Sequence, residues 1–374
     1  KLDFLFLKMS ISIGLAFYFI IVLGSIFSEN ILISLKSSLF YFRFLLFLPA
    51  VLFIFNNKKN LTEIFFRVLI ISCVIIILDS YFQYLYGKNI LGFEVLKISN
   101  FDLRVTGMFG KDEILGSYLS KVLPILISFI FLLDIKYKEF LTIFLIILFG
   151  ISIFLSSERS SFIHYLMFSF LFICLSSSNF KKNFFLIILI PMIFLITSFD
   201  AGKKHRMIIS PFNSLKSFHF SQYHSDHYKT AYKMFLDKKI IGHGVKSFRY
   251  QCSDTKYIVS KKSCSTHPHN TYMQLLSETG IFGFLIIILI FFYFLLLILK
   301  IFIQKYFTKK TNFNNSQISI IIGLFVYFWP LSPNGNFFNN WLNVILFMQL
   351  AVLLHSFYQY SDKKINRNIN KKIT

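Results

Sequence analysis

Residues 281–299 read IFGFLIIILIFFYFLLLIL and contain no charged side chain. A helix of this length crosses the hydrocarbon core of a bilayer, which is about 30 Å thick. Comparable apolar runs recur along the chain, and 55% of its 374 residues are hydrophobic whereas only 15% are charged. A soluble domain cannot bury that much apolar surface in one core. The sequence therefore predicts an all-α, polytopic transmembrane helix bundle.

Ten membrane spans are predicted, with boundaries good to a few residues. They cover residues 10–27, 38–55, 63–85, 114–133, 138–155, 160–177, 184–199, 272–299, 315–331 and 338–358. With this count, the short basic loops and the lysine-rich tail at 363–372 all fall on one face of the membrane. Short positively charged loops stay in the cytoplasm, so this face is predicted to be cytoplasmic.

Three regions are expected from this arrangement. Residues 1–199 would form N-terminal transmembrane helices with short outer loops, residues 200–271 one large periplasmic loop containing short helices, and residues 272–374 C-terminal transmembrane helices with a basic cytoplasmic tail. The first apolar run lacks a small-residue cleavage site and is interpreted as a span rather than a signal peptide. The chain begins with lysine, which leaves a preceding segment open. The net charge of +22 lies mostly in loops, where it contacts membrane lipids, and no nucleic-acid partner is expected.

The predicted loop 200–271 is unusual in its charge and its histidines. It carries 13 Lys and Arg against 4 Asp, and it holds seven of the nine histidines of the chain. Residues 221–236 have the apolar spacing of a helix that lies on the membrane surface or caps the bundle. Cys252 and Cys264 would form a disulfide in an oxidising compartment, or else remain free thiols. The His and Cys spacings match no common zinc pattern, so no metal or other cofactor is expected.

Several side chains are candidates for binding or chemistry. Arg159 lies in a very short outer link, where it would clamp a phosphate group or else pair with Glu158 or reach headgroups. Arg104 and Lys111 are further phosphate candidates, unless the adjacent acidic residues neutralise them. His267 and His269 precede a span. A histidine there could accept a proton from a sugar hydroxyl, or simply bond to backbone at the helix entry.

Four motifs resemble the O-antigen ligase and O-antigen polymerase superfamily. The segment HPHNTYMQLLSETGIFGFL at 267–285 resembles the family signature that follows a long periplasmic loop, and SSERSSF at 156–162 resembles its short arginine link. AYKMFLDKKIIGHGVKSFR at 231–249 is similar to the segment around the family's Gly-x-Gly turn, and WPLSPNGNFFNNW at 329–341 looks like a segment of bacterial members. The resemblance covers roughly residues 80–350 and implies a GT-C-like fold.

The resemblance also implies an activity. It implies a metal-independent, inverting glycosyltransferase in the bacterial inner membrane, which moves a glycan from undecaprenyl pyrophosphate to a sugar hydroxyl of the lipid A core at the periplasmic face. A polymerase that joins lipid-linked repeat units is the alternative within the superfamily, and a protein-glycosylating enzyme is a third enzymatic option. A non-enzymatic transporter of lipid-linked glycan should show charged or Gly/Pro-broken spans, which are scarce here.

Family roles can be carried over by motif. Arg159 takes the place of the first pyrophosphate-binding arginine and His269 that of the histidine beside the attacking hydroxyl, with His267 and Asn270 next to it. The family's second arginine falls on His224 in this sequence, so His224, His227 or Arg249 would replace it. Arg159 and His269 are predicted to share a cavity at the periplasmic rim.

Overall fold

The computed structural model of the chain describes residues 2–99, 102–133, 135–177, 207, 222–309 and 311–373. Within these ranges the chain is almost entirely helical, with a single two-stranded antiparallel hairpin. The helices are α1 (Leu2–Ile26), α2 (Ile31–Asn57), α3 (Lys59–Tyr86), α4 (Leu115–Leu132), α5 (Lys138–Leu155), α6 (Arg159–Leu175), α7 (Gln222–Asp237), α8 (Phe248–Gln251), α9 (Thr271–Tyr306), α10 (Asn315–Tyr327) and α11 (Asn340–Ile373). The strands are β1 (Leu96–Ser99) and β2 (Asp102–Arg104), with Leu96 opposite Arg104.

Most of the predicted spans coincide with apolar helices. Seven described helices are long and apolar enough to cross a membrane, namely α1 to α5, α9 and the first part of α11. Helices α6 and α10 are apolar but shorter, with 17 and 13 residues. The predicted span 184–199 lies outside the described residues. The chain is a multi-pass membrane protein, and the count of ten spans stays a prediction.

Helix α3 shows why these helices need a lipid environment. One side of it exposes large apolar side chains at alternating spacings of three and four residues, which is the repeat of one helix face. These residues are Ile64, Val68, Ile71, Ile75, Leu78, Phe82 and Leu85. An apolar stripe of this length is unfavourable in water but is the normal surface of a helix that faces hydrocarbon.

The chain divides into two compact units, and the first comprises residues 1–56, 219–296 and 328–374. Its transmembrane core is rich in aromatic side chains, and Phe17, Tyr41 and Phe337 pack edge to face. Two buried polar pairs join α2 and α11. Tyr41 donates to Asn343 Oδ1 at 2.8 Å, and His355 Nδ1 lies 2.7 Å from Asn56 Oδ1. Buried polar groups need such partners, so these pairs fix how the two helices are matched.

The second unit comprises residues 57–218 and 297–327. Helix α4 forms its centre, because every residue from Leu119 to Ile130 is buried against α5, α6 and α10. Serine hydroxyls join α4 to α10. Ser128 and Ser316 are 2.7 Å apart, and Ser319 donates to the carbonyl of Pro124 at 2.9 Å. Small polar contacts of this kind let membrane helices approach closely.

The segment between α3 and α4 is anchored to the end of α3. Asp79 accepts hydrogen bonds from the backbone of Ile90 and the side chain of Asn89, and Gln83 Oε1 accepts from the backbone of Thr106 and Gly107. These contacts hold the hairpin β1–β2 and the turn that follows it. The two strands of this segment are only four and three residues long, and they were not predicted from the sequence.

Candidate functional site

Helix α9 is broken at Gly280, near its start. Gly280 has φ 66° and ψ −163°, a backbone conformation that only glycine adopts readily. The break removes the helical partners of the carbonyls of Ser277 and Glu278. The turn at residues 239–244 supplies replacements, because the N–H groups of His243 and Gly244 donate to these carbonyls at 3.0 and 2.9 Å.

The same turn is held from the other side of the break as well. The N–H of Ile281 donates to the carbonyl of Lys239 at 2.8 Å. A Cβ atom on Gly280 would lie 2.3 Å from the carbonyl oxygen of Ile240, and one on Gly242 would lie 2.5 Å from the carbonyl carbon of Glu278. The two backbones can touch because neither glycine carries a side chain. We call residues 239–244 the docked turn. It fixes the region between α7 and α8 onto the start of α9.

A buried acid lies beside the docked turn. Glu278 is fully buried, its Oε1 accepts from the backbone of Phe248 at 3.2 Å and its Oε2 accepts from Gln274 at 2.9 Å. Gln274 in turn donates to Asn336 and accepts from the backbone of Phe337. This network ties α8, α9 and the segment before α11 together. Hydrogen bonds between buried side chains are stronger than in water, so this network favours one arrangement of these segments.

Four histidine side chains come together around His269. The ring centroid of His269 lies 4.1 Å from that of His267 and 5.4 Å from those of His224 and His227. His224 and His227 lie on α7, whereas His267 and His269 immediately precede α9. We call these four residues the histidine cluster. Four of the predicted site residues therefore meet in one place.

The segment 267–272 is held by the segment 328–336. The carbonyl of His269 accepts from the backbone of Asn334 at 2.8 Å, and Asn270 donates to the carbonyl of Pro330 at 2.8 Å. His267 Nε2 lies 3.2 Å from the carbonyl of Asn334, which can only accept, so this nitrogen carries the proton. His269 itself has φ 59°, an uncommon conformation for a side chain of its size. The surrounding bonds maintain it.

His267 and His269 are electrically neutral at physiological pH. Burial, together with the charges of the three neighbouring histidines, lowers the pKa of His269 to about 3. Burial also lowers the pKa of His267 to about 4 and lowers that of His227. A neutral imidazole has one nitrogen that donates and one that accepts a hydrogen bond. A neutral His269 can therefore accept a hydrogen bond from a hydroxyl group without first losing a proton.

Positive charge lies close to the cluster. Arg249 is the second residue of α8. Burial is the main cause that lowers the pKa of His267, and the charge of Arg249 lowers it further. Burial also lowers the pKa of the Lys246 ammonium, and the nearby charges of Arg249 and Arg43 lower it further. Arg249 Nε is buried and has no hydrogen-bond partner within the described residues. These cations are suited to an anionic ligand.

Two other predicted features of this region have structural roles. Cys252 and Cys264 are joined by a disulfide with a Cα–Cα distance of 5.1 Å. His243 is fully buried, and its Nε2 lies 2.9 Å from the carbonyl of Met234, to which it donates. It therefore links the docked turn to α7. The other loop histidines, His205 and His219, lie outside the described residues.

Arg159 lies in the second unit, at the start of α6. The preceding Glu158 accepts hydrogen bonds from the backbone N–H groups of Gly116 and Ser117 at 2.6 and 3.0 Å. An acidic group at a helix N-terminus satisfies unpaired donors and favours the helix dipole. Burial raises the pKa of Glu158 to about 7, while these hydrogen bonds oppose the rise. Glu158 thus fixes the start of α6 against the start of α4.

Arg104 also lies in the second unit, on β2. It forms an ion pair with Glu113, which is the alternative that the sequence left open for this segment. Neighbouring residues contact the Arg159 link. Ser157 donates to the carbonyl of Leu103 at 3.2 Å. A phosphate-binding role for Arg104 stays a prediction, and so does the cavity shared by Arg159 and His269.

Some residues of the site were not predicted. Glu278 and Lys246 lie inside motifs quoted above, and a charged residue within an apolar signature is a signal of function that the sequence offered. Asn334 and Ser265 carried no such signal, because their contacts to the histidines depend on the fold. Over the ranges that the structure describes, no group of three or more His, Cys, Asp or Glu is arranged to hold a metal ion.

Comparison with known families agrees with the motifs. A family model described as O-antigen ligase matches residues 143–288, a stretch that contains the Arg159 link, the docked turn and the histidine cluster. A comparison with curated proteins yields no match. Residues 143–288 of this chain are thus similar to the O-antigen ligase family, and the predicted resemblance to the O-antigen ligase superfamily is confirmed.

Proposed function

We propose that this chain is a glycosyltransferase of the O-antigen ligase type. It would move a glycan from undecaprenyl pyrophosphate to a sugar hydroxyl of the lipid A core at the periplasmic face of the inner membrane. The observation that carries this proposal is the convergence of three histidine rings on His269, inside the stretch that matches the O-antigen ligase family and close to the start of α9.

The proposed reaction needs a group that accepts the proton of the attacking hydroxyl. The oxygen of the acceptor attacks the anomeric carbon, and the bond from that carbon to the pyrophosphate oxygen breaks with inversion. A histidine whose pKa is about 3 is a weak base in the empty site. A bound pyrophosphate brings negative charge, which favours the protonated imidazole and raises its pKa. His269 therefore becomes a better base once the donor is bound.

The leaving pyrophosphate requires fixed positive charge. Arg249 and Lys246 support this role in the first unit, because both lie in electrostatic range of the buried Glu278 and of each other. Preorganised cations stabilise charge as it develops in the transition state. We assign the clamp that the family's second arginine provides to Arg249. Arg159 is proposed as the first clamp by its motif.

A strain that lacks the gene tests this function. Complementation with wild-type protein should restore polysaccharide on the lipid A core, whereas His269→Ala and Arg159→Ala should abolish it at unchanged protein level. Arg67→Ala is the matched control. Arg67 is exposed on α3, and the ion pair that it forms within the described residues is with Glu63, one helix turn earlier. Lipopolysaccharide banding and lipid-linked glycan are measured together.

The banding pattern also separates the two reactions of the superfamily. Loss of a ligase leaves lipid-linked polymer and bare core, whereas loss of a polymerase leaves single repeat units on the core. Normal capped lipopolysaccharide in either variant would remove that residue from the mechanism. Glycan movement across vesicles by purified protein, without any sugar being joined, would refute the transferase function.

A further inference from the structure

Ser265 contacts the candidate base directly. Its Oγ lies 3.0 Å from His269 Nε2, and both side chains are partly buried. Within the described residues, His269 Nδ1 has no hydrogen-bond partner. The two ring nitrogens of His269 therefore have different surroundings. One faces a serine hydroxyl, and the other makes no hydrogen bond within the described residues.

The backbone immediately before Ser265 is held by two contacts. The hydroxyl of Ser263, which is fully buried, accepts from the backbone of Val259 and Ser260 at 2.8 and 2.7 Å. Cys264 is tied to Cys252 at the end of α8 by the disulfide. These contacts fix the backbone that carries Ser265 relative to α8.

Two of the neighbouring histidines direct ring nitrogens toward protein groups. His267 uses Nε2 toward the carbonyl of Asn334 and Nδ1 toward the hydroxyl of Thr266, at 3.2 and 3.0 Å, so both of its nitrogens are engaged by protein. The carbonyls of Lys262 and Cys264 accept a hydrogen bond from His227. Its remaining nitrogen, Nδ1, is buried.

We propose that Ser265 is a positioning residue for His269: its hydroxyl oxygen accepts the Nε2–H of the imidazole and leaves the lone pair of Nδ1 for the acceptor sugar. A serine hydroxyl can either donate or accept a hydrogen bond. We assign it the acceptor role because that tautomer leaves the lone pair on Nδ1, the ring nitrogen that makes no other hydrogen bond within the described residues. This inference rests on the proposed glycosyl transfer for its consequence, although the tautomer itself does not.

The proton follows a defined route in this arrangement. The acceptor hydroxyl gives its proton to Nδ1 while its oxygen bonds to the anomeric carbon, and the pyrophosphate leaves with the electron pair of the broken carbon–oxygen bond. The imidazolium that forms still donates its Nε2–H hydrogen bond to the oxygen of Ser265. The serine hydroxyl itself does not lose its proton. A hydroxyl that orients a histidine is a weaker version of the carboxylate that orients the base in hydrolases.

Kinetics of purified variants test the role of Ser265. Ser265→Ala should lower kcat by roughly 3- to 10-fold, the fold-change of one ordinary hydrogen bond, with little change in KM for the donor. Ser265→Thr keeps a hydroxyl and should retain most activity. Ser265→Asp should move the acidic limb of the kcat profile to higher pH, because a carboxylate favours imidazolium. Ser253→Ala, an exposed serine of the same disulfide loop, is the control.

A spectroscopic measurement keeps the inference testable without turnover. Nitrogen-15 spectra of histidine-labelled protein report which ring nitrogen carries the proton, and comparison with His269→Gln assigns the signal. We expect the proton on Nε2 in the wild type and a mixture of tautomers in Ser265→Ala. A proton on Nδ1 in the wild type would overturn the inference, as would a Ser265→Ala variant with wild-type kcat and pH profile. Absence of any transferase activity in the wild type, with the expected spectrum, would refute the proposed function alone.

Discussion

Acidification should destabilise the region around the histidine cluster by a predictable amount. The pKa of His267 is about 4 and that of His269 about 3, whereas a histidine in an unfolded chain has a pKa near 6.5. Between these values the unfolded chain binds protons that the folded chain does not. Stability is therefore fully present above pH 6.5 and is lost as the pH falls toward 4.

The magnitude follows from these values. At pH 5 the pH lies about 1.5 units below the pKa of a histidine in the unfolded chain. Protonation of each histidine therefore stabilises the unfolded state by about 2 kcal/mol. Together, His267 and His269 should cost roughly 4 kcal/mol of unfolding free energy between pH 7.5 and pH 5. This is a large part of the stability of a typical domain.

Urea unfolding in detergent at the two pH values measures this effect. The two tryptophans of the chain, Trp329 and Trp341, lie in or beside the segment that holds His267 and His269, so their fluorescence reports on this region. The double variant His267→Gln, His269→Gln removes both titrating groups, and the glutamine at 267 can still donate to the carbonyl of Asn334.

The comparison between wild type and double variant reports on the two histidines together with their effect on the neighbouring His224 and His227. The double variant should lose about 4 kcal/mol less than the wild type on acidification. Equal losses in the two proteins would show that these histidines are protonated in the folded state at pH 5. That outcome would refute the conclusion that His267 and His269 are neutral, on which the argument for hydroxyl binding depends.

Three further changes have expected outcomes. Replacing Cys252 and Cys264 by serine should lower the unfolding free energy by about 3 kcal/mol on the chain-entropy model, measured by urea unfolding, and reductant should have no further effect on that variant. Gly280→Ala should cost at least about 1–3 kcal/mol, because its Cβ would collide with the carbonyl of Ile240, and a wild-type melting temperature would contradict this. Glu158→Ala should destabilise the start of α4 by about 1–3 kcal/mol and Glu158→Gln by less, since the amide oxygen still accepts; equal effects on proteolysis rates would argue against the cap.

The membrane helices could be predicted because their signal is local. A run such as 281–299 excludes a soluble position by composition alone, and α7 was predicted at 221–236 from the spacing of its apolar residues. The ends of helices were less accurate. Helices α1 and α2 begin several residues before the predicted spans, because a helix can extend beyond its apolar stretch.

The break in α9 could not be predicted from the same signal. The span 272–299 was predicted as one helix, since a glycine such as Gly280 is tolerated within membrane helices. The left-handed conformation at Gly280 depends on the docked turn, which is about 40 residues earlier in the sequence. Local propensity carries no information about that contact.

The candidate site shows the same division. The sequence predicted His269 and its neighbours His224, His227 and His267 as candidates, but not that their rings converge within 4.1–5.4 Å of His269. Convergence depends on how α7 meets the residues before α9. For the same reason Ser265 was missed, because a serine four residues before a histidine has no special signature outside a helix.

The interruption of α9 has a consequence for how the protein meets membranes of different thickness. The uncharged run 281–299 is roughly 28 Å long at 1.5 Å per residue, which is close to the thickness of a typical hydrocarbon core. A thinner or thicker bilayer would therefore change the tilt of this part of the helix. Because the docked turn bonds the backbone on both sides of Gly280, such a change would have to strain those bonds before it altered the short helix that begins at Thr271 and the residues before it.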